Sequence, residues 1–251
     1  MTVSVLVVGI GSGDPTHLTG EAVAALNEVD VFLVADKRAA TRDLVTLRAE
    51  LCAAVITHDR YRFVEVPDPV RGPDAARDSG AYTDAVRDWH AERARRHADA
   101  VTREVGTSGT VGLLVWGDPS LYDSTLRVVE TMAGLLGSED VALEVRVVPG
   151  ISSVSLLAAR HAVALNRVGR PVHITTGRRL GAEYDPALGD VVVMLDGDLD
   201  AARSIVETQP DAELFLYPGP GHLFTEAGGE DHDPAATELF LERATGLLSR
   251  L

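Results

Sequence analysis

The stretch VWGDPSLYDS, residues 115–124, decides the fold class. Just before it, GTVGLL (109–114) reads as a glycine turn running into a short apolar strand bounded by Trp116. That is the pattern of a strand buried on both faces of a parallel sheet. Gly117 then opens a tight turn, Asp118 and Pro119 shape the approach of the next helix, and Ser120 to Asp123 place polar groups beside exposed backbone N–H. Proteins of alternating strands and helices build ligand crevices in this way, outside the carboxyl ends of their strands. The tripeptide Gly-Asp-Pro occurs a second time at 13–15, again just past an apolar run, VSVLVVG at 3–9. If both strands lie in one sheet, the two turns are neighbours.

Working outward, strands are expected at 3–9, 31–36, 61–66, 109–115 and 142–150, separated by helices at 18–30, 41–56, 81–105 and 124–136. The alternation implies a parallel sheet with right-handed crossovers. Pro149 and Gly150 mark a hinge, so the chain divides into an N-terminal α/β domain (1–149) and a C-terminal α/β domain (150–251). The second is expected to hold a helix from Ser152 to His161, a mixed sheet with strands at 171–176, 190–195 and 212–217, and helices near 198–207 and 234–249.

Composition removes several function classes. A formal charge of −15 opposes attraction of the whole surface to nucleic acid or to an acidic membrane. The 81–105 segment is rich in arginine, but acids alternate with the arginines along it, which describes a solvated helix face. Cys52 is the single cysteine, so no internal disulfide or cysteine-rich metal cluster is available, and in LRAELCAAV it reads as a packed helix residue. The acidic run GEDHD at 229–233 reads as a solvated loop, and no metal is expected. The first apolar run is too short to span a bilayer and no basic region precedes it, which points to the cytoplasm.

Three familiar motifs fail. Gly9-Ile10-Gly11 follows the first strand, but a dinucleotide site needs its third glycine at position 14, where Asp14 would repel a pyrophosphate. Neither glycine turn is followed by the Gly-Lys-Ser/Thr of a P-loop, and no Gly-x-Ser-x-Gly elbow is present. Charge distribution is more informative. Between Val145 and Ala182 there is no Asp or Glu, while Arg146, Arg160, Arg167, Arg170, Arg178, Arg179, His161 and His173 all fall there. A basic island in an acidic chain suits a small molecule carrying several carboxylates, which arginine binds in planar bidentate pairs. The same arginines could equally be paired with acids from other segments.

At these residues the chain resembles the tetrapyrrole methylases of the cobalamin pathway, the class III methyltransferases that use S-adenosylmethionine. GIGSGDPTHLT (9–19) is similar to their N-terminal loop, VWGDPSLYDS to their cofactor turn and VVPGISSVSLLAAR (147–160) to the segment after their fifth strand. Within the family, DVFLVADK (30–37), PGISSVSLLAARH (149–161), LNRVGRPVHITTGRRL (165–180) and VVVMLDG (191–197) are most similar to the deacetylating type, which methylates a ring carbon and releases acetate. The loop departs from the family pattern where Ser12 replaces a common proline and where His17-Leu18-Thr19 replaces Leu-Leu-Thr.

The resemblance implies a two-domain tetrapyrrole methylase fold, with the second domain completing the cofactor cleft. It implies S-adenosyl-L-methionine as cofactor with S-adenosyl-L-homocysteine as product, a tetrapyrrole substrate and a homodimer. Cofactor contacts carry over to Gly117, Asp118, Leu121, Ser152, Ser153 and Met194. Gly11, Ser12, Gly13, Asp14 and Pro15 correspond to the loop that closes over the reacting carbon, and the arginine island, Arg160, Arg178 and Arg179 among it, suits the acetate and propionate side chains of such a macrocycle. Release of acetate needs a base, and Asp14, Tyr122, His173, His161 and Asp36 are candidates by chemistry. Read on its own pattern, Met194 is also a core residue of a buried strand, and His173 is also a histidine satisfied at a strand end. Class III methyltransferases acting on RNA or on a protein remain an alternative that the acidic charge disfavours. So does a descendant that binds cofactor or tetrapyrrole without turnover, which the intact GSGDP loop disfavours.

Overall fold

The computed structural model describes residues 1–36, 42–69, 79–177, 179, 189–194, 233–239 and 242. The chain divides into two compact units, Met1–Ala164 and Leu165–Leu251. In the first unit the elements run β1 (Thr2–Gly9), α1 (Gly20–Leu26), β2 (Val31–Asp36), α2 (Arg42–Val55), β3 (Arg62–Pro67), α3 (Ser79–Val105), β4 (Thr110–Val115), α4 (Thr125–Gly137), β5 (Ala142–Val148) and α5 (Ser153–Arg160). A short 3-10 turn, Pro15–His17, lies between β1 and α1. The strands form one five-stranded sheet in the order β3-β2-β4-β1-β5, with every pairing parallel.

The residues explain the order. β1 sits inside the sheet and reads as an unbroken apolar run because both its faces are covered. Val3, Val5 and Val7 pack with α3 and α4 residues such as Val101, Val129 and Met132. Leu6 and Val8 face the other way, with Ala22, Leu26, Leu51 and Cys52 of α1 and α2. Each such side chain contributes roughly 1.5–3 kcal/mol on burial. On the α1/α2 side, Phe32 stacks on Phe63 at 5.0 Å between centroids. Gly112 of β4 makes room for it, since a Cβ there would lie 2.7 Å from Phe32 Cδ1. Cys52 is fully buried, and burial pushes its thiol up to about 12.

Helix ends follow local chemistry. Thr19 caps α1 by accepting from Ala22 N at 3.0 Å. The helix stops at Leu26, four residues short of the periodic pattern. There Asn27 turns its side chain to Val55 O and Thr57 N, at 3.1 and 2.9 Å, and ties α1 to the end of α2. α3 carries several of its charges as solvated pairs, Glu92 with Arg95 and Arg96 and Glu104 with Arg103 and Arg62, while Arg93 pairs with the largely buried Asp68 at 3.0 Å. Exposed pairs of this kind contribute little each.

The first unit runs through α5, beyond the 149/150 division expected from sequence. Val154 and Ala158 of α5 are buried, and the backbone of Gly150 lies against that of Gly9. Taken by itself, the second unit contains the parallel pair β6 (Val172–Thr176) and β7 (Asp190–Met194), in which His173 is opposite Val191 and Thr176 opposite Met194. Residues 234–239 are helical, and Asp233 caps them by accepting from Ala235 N and Ala236 N at 3.0 Å. The strand expected at 212–217, the helix near 198–207, most of the 234–249 helix and most of the GEDHD run lie outside the described residues. Among the described residues, no group of three His, Cys, Asp or Glu side chains could hold a metal ion, and no helix is long and apolar enough to cross a membrane.

Candidate active site

The sheet order creates one place where a ligand crevice belongs. From β1 the chain crosses toward β2 and β3, and from β4 it crosses toward β5 on the other side. β1 and β4 are neighbours, so their following segments part to opposite faces, α1 to one and α4 to the other. This is a topological switch point, and ligands bind outside the carboxyl ends of such strands. Both Gly-Asp-Pro turns lie there. They are joined directly: Gly117 N donates to Gly11 O at 2.7 Å, and Gly11 N donates to Gly117 O at 3.3 Å.

Three glycines bring β1, β4 and β5 to one point. A Cβ on Gly150 would lie 2.1 Å from Gly117 O and 2.8 Å from Gly9 Cα, and one on Gly9 would lie 2.6 Å from Gly150 N. Gly117 has φ +67°, a left-handed value that glycine adopts without cost. The start of α5 packs on it at ordinary van der Waals distance, Ser152 Cα and Ser153 N both lying 3.7 Å from its Cβ position. Gly117, Asp118, Leu121, Ser152 and Ser153 are therefore brought together in one unit.

Asp118 is the clasp of this site. Its Oδ1 accepts from Ser120 N at 2.8 Å and from Ser120 Oγ, and its Oδ2 accepts from Gly150 N at 3.0 Å. Burial alone would raise its pKa and is the largest single influence. The hydrogen bonds from the Ser120 hydroxyl, the Ser120 amide and the Gly150 amide together outweigh it, and the carboxyl sits below its ordinary value. An ionised carboxylate offers about four acceptor sites. Three are filled, which leaves Asp118 able to accept one further donor. Ser152 has a comparable structural task, capping α5 by accepting from Ser155 N at 3.1 Å. Leu121 is held by its own N–H to Asp118 O at 3.1 Å. Tyr122 has φ +53°, rare for a side chain of its size, and is 41% exposed at the rim of the turn.

The loop after β1 is equally ordered. Asp14 Oδ1 accepts from Thr16 N at 2.8 Å and Thr16 Oγ1 at 2.7 Å, with Pro15 as the first residue of the 3-10 turn. The Thr16 hydroxyl, then its amide, hold Asp14 below the ordinary carboxylate value. A carboxylate stabilised in this way is a weaker proton acceptor than an ordinary one and serves better as an electrostatic partner. Gly13 has φ +92° and packs on the indole of Trp116, so close that a Cβ would lie 2.7 Å from Cζ3. Trp116 Nε1 is buried with no hydrogen-bond partner among the described residues, and the Arg48 guanidinium lies 4.8 Å from the centre of a Trp116 ring. Burial pushes Arg48 down to about 10.

Sequence reasoning passed over His17. Its Nδ1 lies 2.8 Å from Ser12 Oγ, its Nε2 3.4 Å from Arg160 Nη2 and 4.0 Å from Asp14 Oδ2. Ser12 and His17 are the two points at which the loop departs from the family pattern, and they are bonded to each other. Arg160, 143 residues away in the chain, reaches this loop from the last turn of α5. In sequence the signal was only a histidine in a turn-rich loop.

The basic island divides. Arg146 pairs with Glu28 at 2.9 Å and Arg167 with Asp190 at 3.0 Å, so the paired alternative holds for these two. His161 ends α5 as an exposed cap residue. Asp36 is the last residue of β2. Met194, His173 and Arg179 belong to the second unit, where Met194 and His173 are half-buried on β7 and β6. Arg178 lies outside the described residues.

The family model described as Tetrapyrrole (Corrin/Porphyrin) Methylases matches residues 4–227. A precorrin-6A synthase [deacetylating] of Sinorhizobium sp is 42% identical over 84% of this chain and 77% of its own length. A precorrin-2 C(20)-methyltransferase of the same source is 31% identical over 59% of this chain and 54% of its own. Among solved structures, a cobalamin synthesis related protein (CobF) from Corynebacterium diphtheriae superposes with a TM-score of 0.64 at 36% identity, covering 81% of this chain and 76% of that one.

Proposed function

The chain belongs to the tetrapyrrole (corrin/porphyrin) methylase family, and from that premise we propose that it is an S-adenosylmethionine-dependent C-methyltransferase of cobalamin biosynthesis. In this reading it converts precorrin-5 to precorrin-6A, methylating C1 and releasing acetate. The observation that carries the reading is the 42% identity to a deacetylating precorrin-6A synthase across 84% of the chain. The site supports it independently: the two Gly-Asp-Pro turns meet at the switch point, where a ligand of cofactor size is expected.

The residues present fit the cofactor. Gly117 takes a left-handed turn that brings its backbone against the start of α5, the remaining acceptor site on Asp118 suits an ammonium or a ribose hydroxyl, and Trp116 Nε1 is a buried donor with no partner among the described residues. Bound there, the sulfonium supplies an electrophilic methyl group. The chain's part is to hold the geometry. Asp118 ties the turns after β4 and β5 together, and the Gly11–Gly117 bridge sets the loop after β1 against them. Alignment of two reactants can contribute roughly 7–11 kcal/mol, so a rigid ridge of backbone is the main catalytic requirement.

Arg160 is the arginine of the first unit that stands beside the loop, and it would take a macrocycle carboxylate. Met194 and a homodimer stay in the reading on the strength of the resemblance, Arg178 and Arg179 on the charge of their segment, His173 as a base by its chemistry, and a cytoplasmic location on the sequence reading. The test is incubation with methyl-labelled S-adenosylmethionine and precorrin-5, with mass analysis of macrocycle and released acid. Labelled macrocycle plus one equivalent of acetate is the expected result. Labelled macrocycle without acetate would instead place the chain among sibling precorrin methylases, and absence of label would sink the reading.

A further inference from the structure

Loss of an acetyl group as acetate requires a base near the reacting carbon, and the resemblance assigned none. Several groups in the first unit are disqualified by their surroundings. His97 is buried in α3 with Nδ1 on Arg93 O at 2.9 Å. His58 precedes β3, at the amino ends of the strands, with Nε2 on Asn27 O at 2.9 Å. Asp14 accepts two hydrogen bonds from Thr16, which hold its carboxyl below the ordinary carboxylate value and make it a weaker proton acceptor. His17 differs from both of those histidines and, like Asp14, belongs to the loop of the site. It stands in the loop after β1, at the carboxyl end of the sheet, and Gly11, whose backbone joins Gly117, is so close that a Cβ on it would lie 3.2 Å from His17 Cβ.

We propose that His17 is the general base that removes the acetyl group, with Ser12 as its positioning residue; this rests on the deacetylating reading above. The network sets the tautomer. Arginine is a donor only, so Nε2 facing Arg160 Nη2 at 3.4 Å is the acceptor, and the ring proton is on Nδ1. Nδ1–H then donates to Ser12 Oγ at 2.8 Å, which fixes the ring plane as a second residue does in hydrolytic triads. The charged groups facing the imidazole are Arg160 and Asp14, the latter with Oδ2 4.0 Å from Nε2. Arg160 is exposed and its contact with Nε2 is long. A substrate carboxylate that draws the guanidinium to itself frees the Nε2 lone pair at the moment substrate binds.

The step balances as follows. Water attacks the acetyl carbonyl carbon and gives its proton to Nε2 of His17. The carbon–carbon bond between the acetyl group and the ring breaks, its electron pair stays with the conjugated ring, and acetic acid leaves and ionises. The imidazolium returns its proton to solvent. α5, whose first residues flank Gly117 and whose last is Arg160, spans roughly 12 Å at 1.5 Å per residue. One macrocycle can therefore meet the methyl donor at the turn and the base at the loop.

The experiment measures acetate release and methyl incorporation separately, using full-length protein, methyl-labelled S-adenosylmethionine and precorrin-5. His17→Asn, which retains a donor toward Ser12 but no basic nitrogen, is expected to slow acetate release by about 10²- to 10⁴-fold. Its calorimetric affinity for S-adenosylmethionine should stay within twofold. Acetate release by the wild type should rise with pH along a single ionisation that the variant lacks. Acetate release by His17→Asn within threefold of wild type across the pH range overturns the proposal. Wild-type protein that methylates the macrocycle without releasing acetate overturns the deacetylating reading itself, and the proposal with it. If His17→Asn loses cofactor affinity, Ser12→Ala decides. Loss of the acceptor on Nδ1–H should lower kcat for acetate release, with Ser12→Thr restoring it, and unaltered acetate release in Ser12→Ala overturns the proposal.

Discussion

Gly150→Ala is the substitution that tests the geometry of the site most directly. The added methyl would sit 2.1 Å from Gly117 O and 2.8 Å from Gly9 C and Cα, all of them backbone atoms with no side chain to swing aside. A carbon and a carbonyl oxygen approach no closer than about 3.3 Å even in favourable contacts. The turn after β5 must therefore retreat from the turn after β4 by roughly 1 Å. A movement of that size stretches the 3.0 Å bond from Gly150 N to Asp118 Oδ2 beyond hydrogen-bonding range. Overpacking alone costs about 1–3 kcal/mol, and a hydrogen bond to a charged group adds about 1.5–3 kcal/mol; with partial relaxation, a loss of about 2–4 kcal/mol is expected. Displacement of a positioning element by about 1 Å costs on the order of 10²-fold in rate. The assay is a pair of urea titrations with methyl-transfer kinetics on the same preparations. Gly134→Ala is the control: it lies within α4 with nothing within 4 Å of its Cβ position, and should stabilise by about 0.5–1 kcal/mol. Stability of Gly150→Ala within 0.5 kcal/mol of wild type, with methyl transfer unchanged, would refute the reasoning that these three backbones are in contact.

Other expectations follow from single residues. Asp118→Ala removes the acceptor of three hydrogen bonds and should weaken S-adenosylmethionine binding by roughly tenfold or more while loosening the turn; unchanged calorimetric affinity would remove it from the site. Because folding depresses the Asp118 pKa, its contribution to stability is present above the unfolded value and lost as pH falls below about 3.8, so the acid limb of an unfolding titration should be shallower in Asp118→Asn. His97 is held down to about 4 by burial, so the folded state binds fewer protons than the unfolded state between about 6.5 and 4. Stability should fall by about 3 kcal/mol across that interval as pH drops, and His97→Gln should flatten the slope; an unchanged slope would refute the assignment. Arg146→Ala should leave both stability, within about 0.5 kcal/mol, and the Michaelis constant unaltered, because its partner is the exposed Glu28. A raised Michaelis constant would return Arg146 to the substrate site.

Much of the fold was legible because a parallel sheet covered on both faces leaves a strong local signature. β1 and β4 read as apolar runs bounded by glycine, the helices between them carry the 3.6 period, and expected and observed ends agree within a few residues. Adjacency of the two Gly-Asp-Pro turns was also a sequence inference, and the β1–β4 pairing realises it. The α1 end was not legible, because the competing partner for Asn27 lies 30 residues away at Thr57. Extension of the first unit through α5 was not legible either, since Pro149-Gly150 reads as a hinge when its contact with Gly9 is unseen.

The site divides along the same line. By itself the sequence determined the residue types that make it: glycines that permit left-handed turns, and a carboxylate beside exposed backbone N–H. These are properties of short stretches, and local sterics and charge suffice to read them. Only the tertiary structure decided what each group does. It showed that Asp118 spends three of its acceptor sites on the protein, that Arg146 is paired across 118 residues with Glu28, and that Ser12, His17 and Arg160 form one cluster. Hydrogen bonds act over about 3 Å of space regardless of sequence separation, so partners that meet only when the sheet closes leave no periodic or compositional trace in the chain.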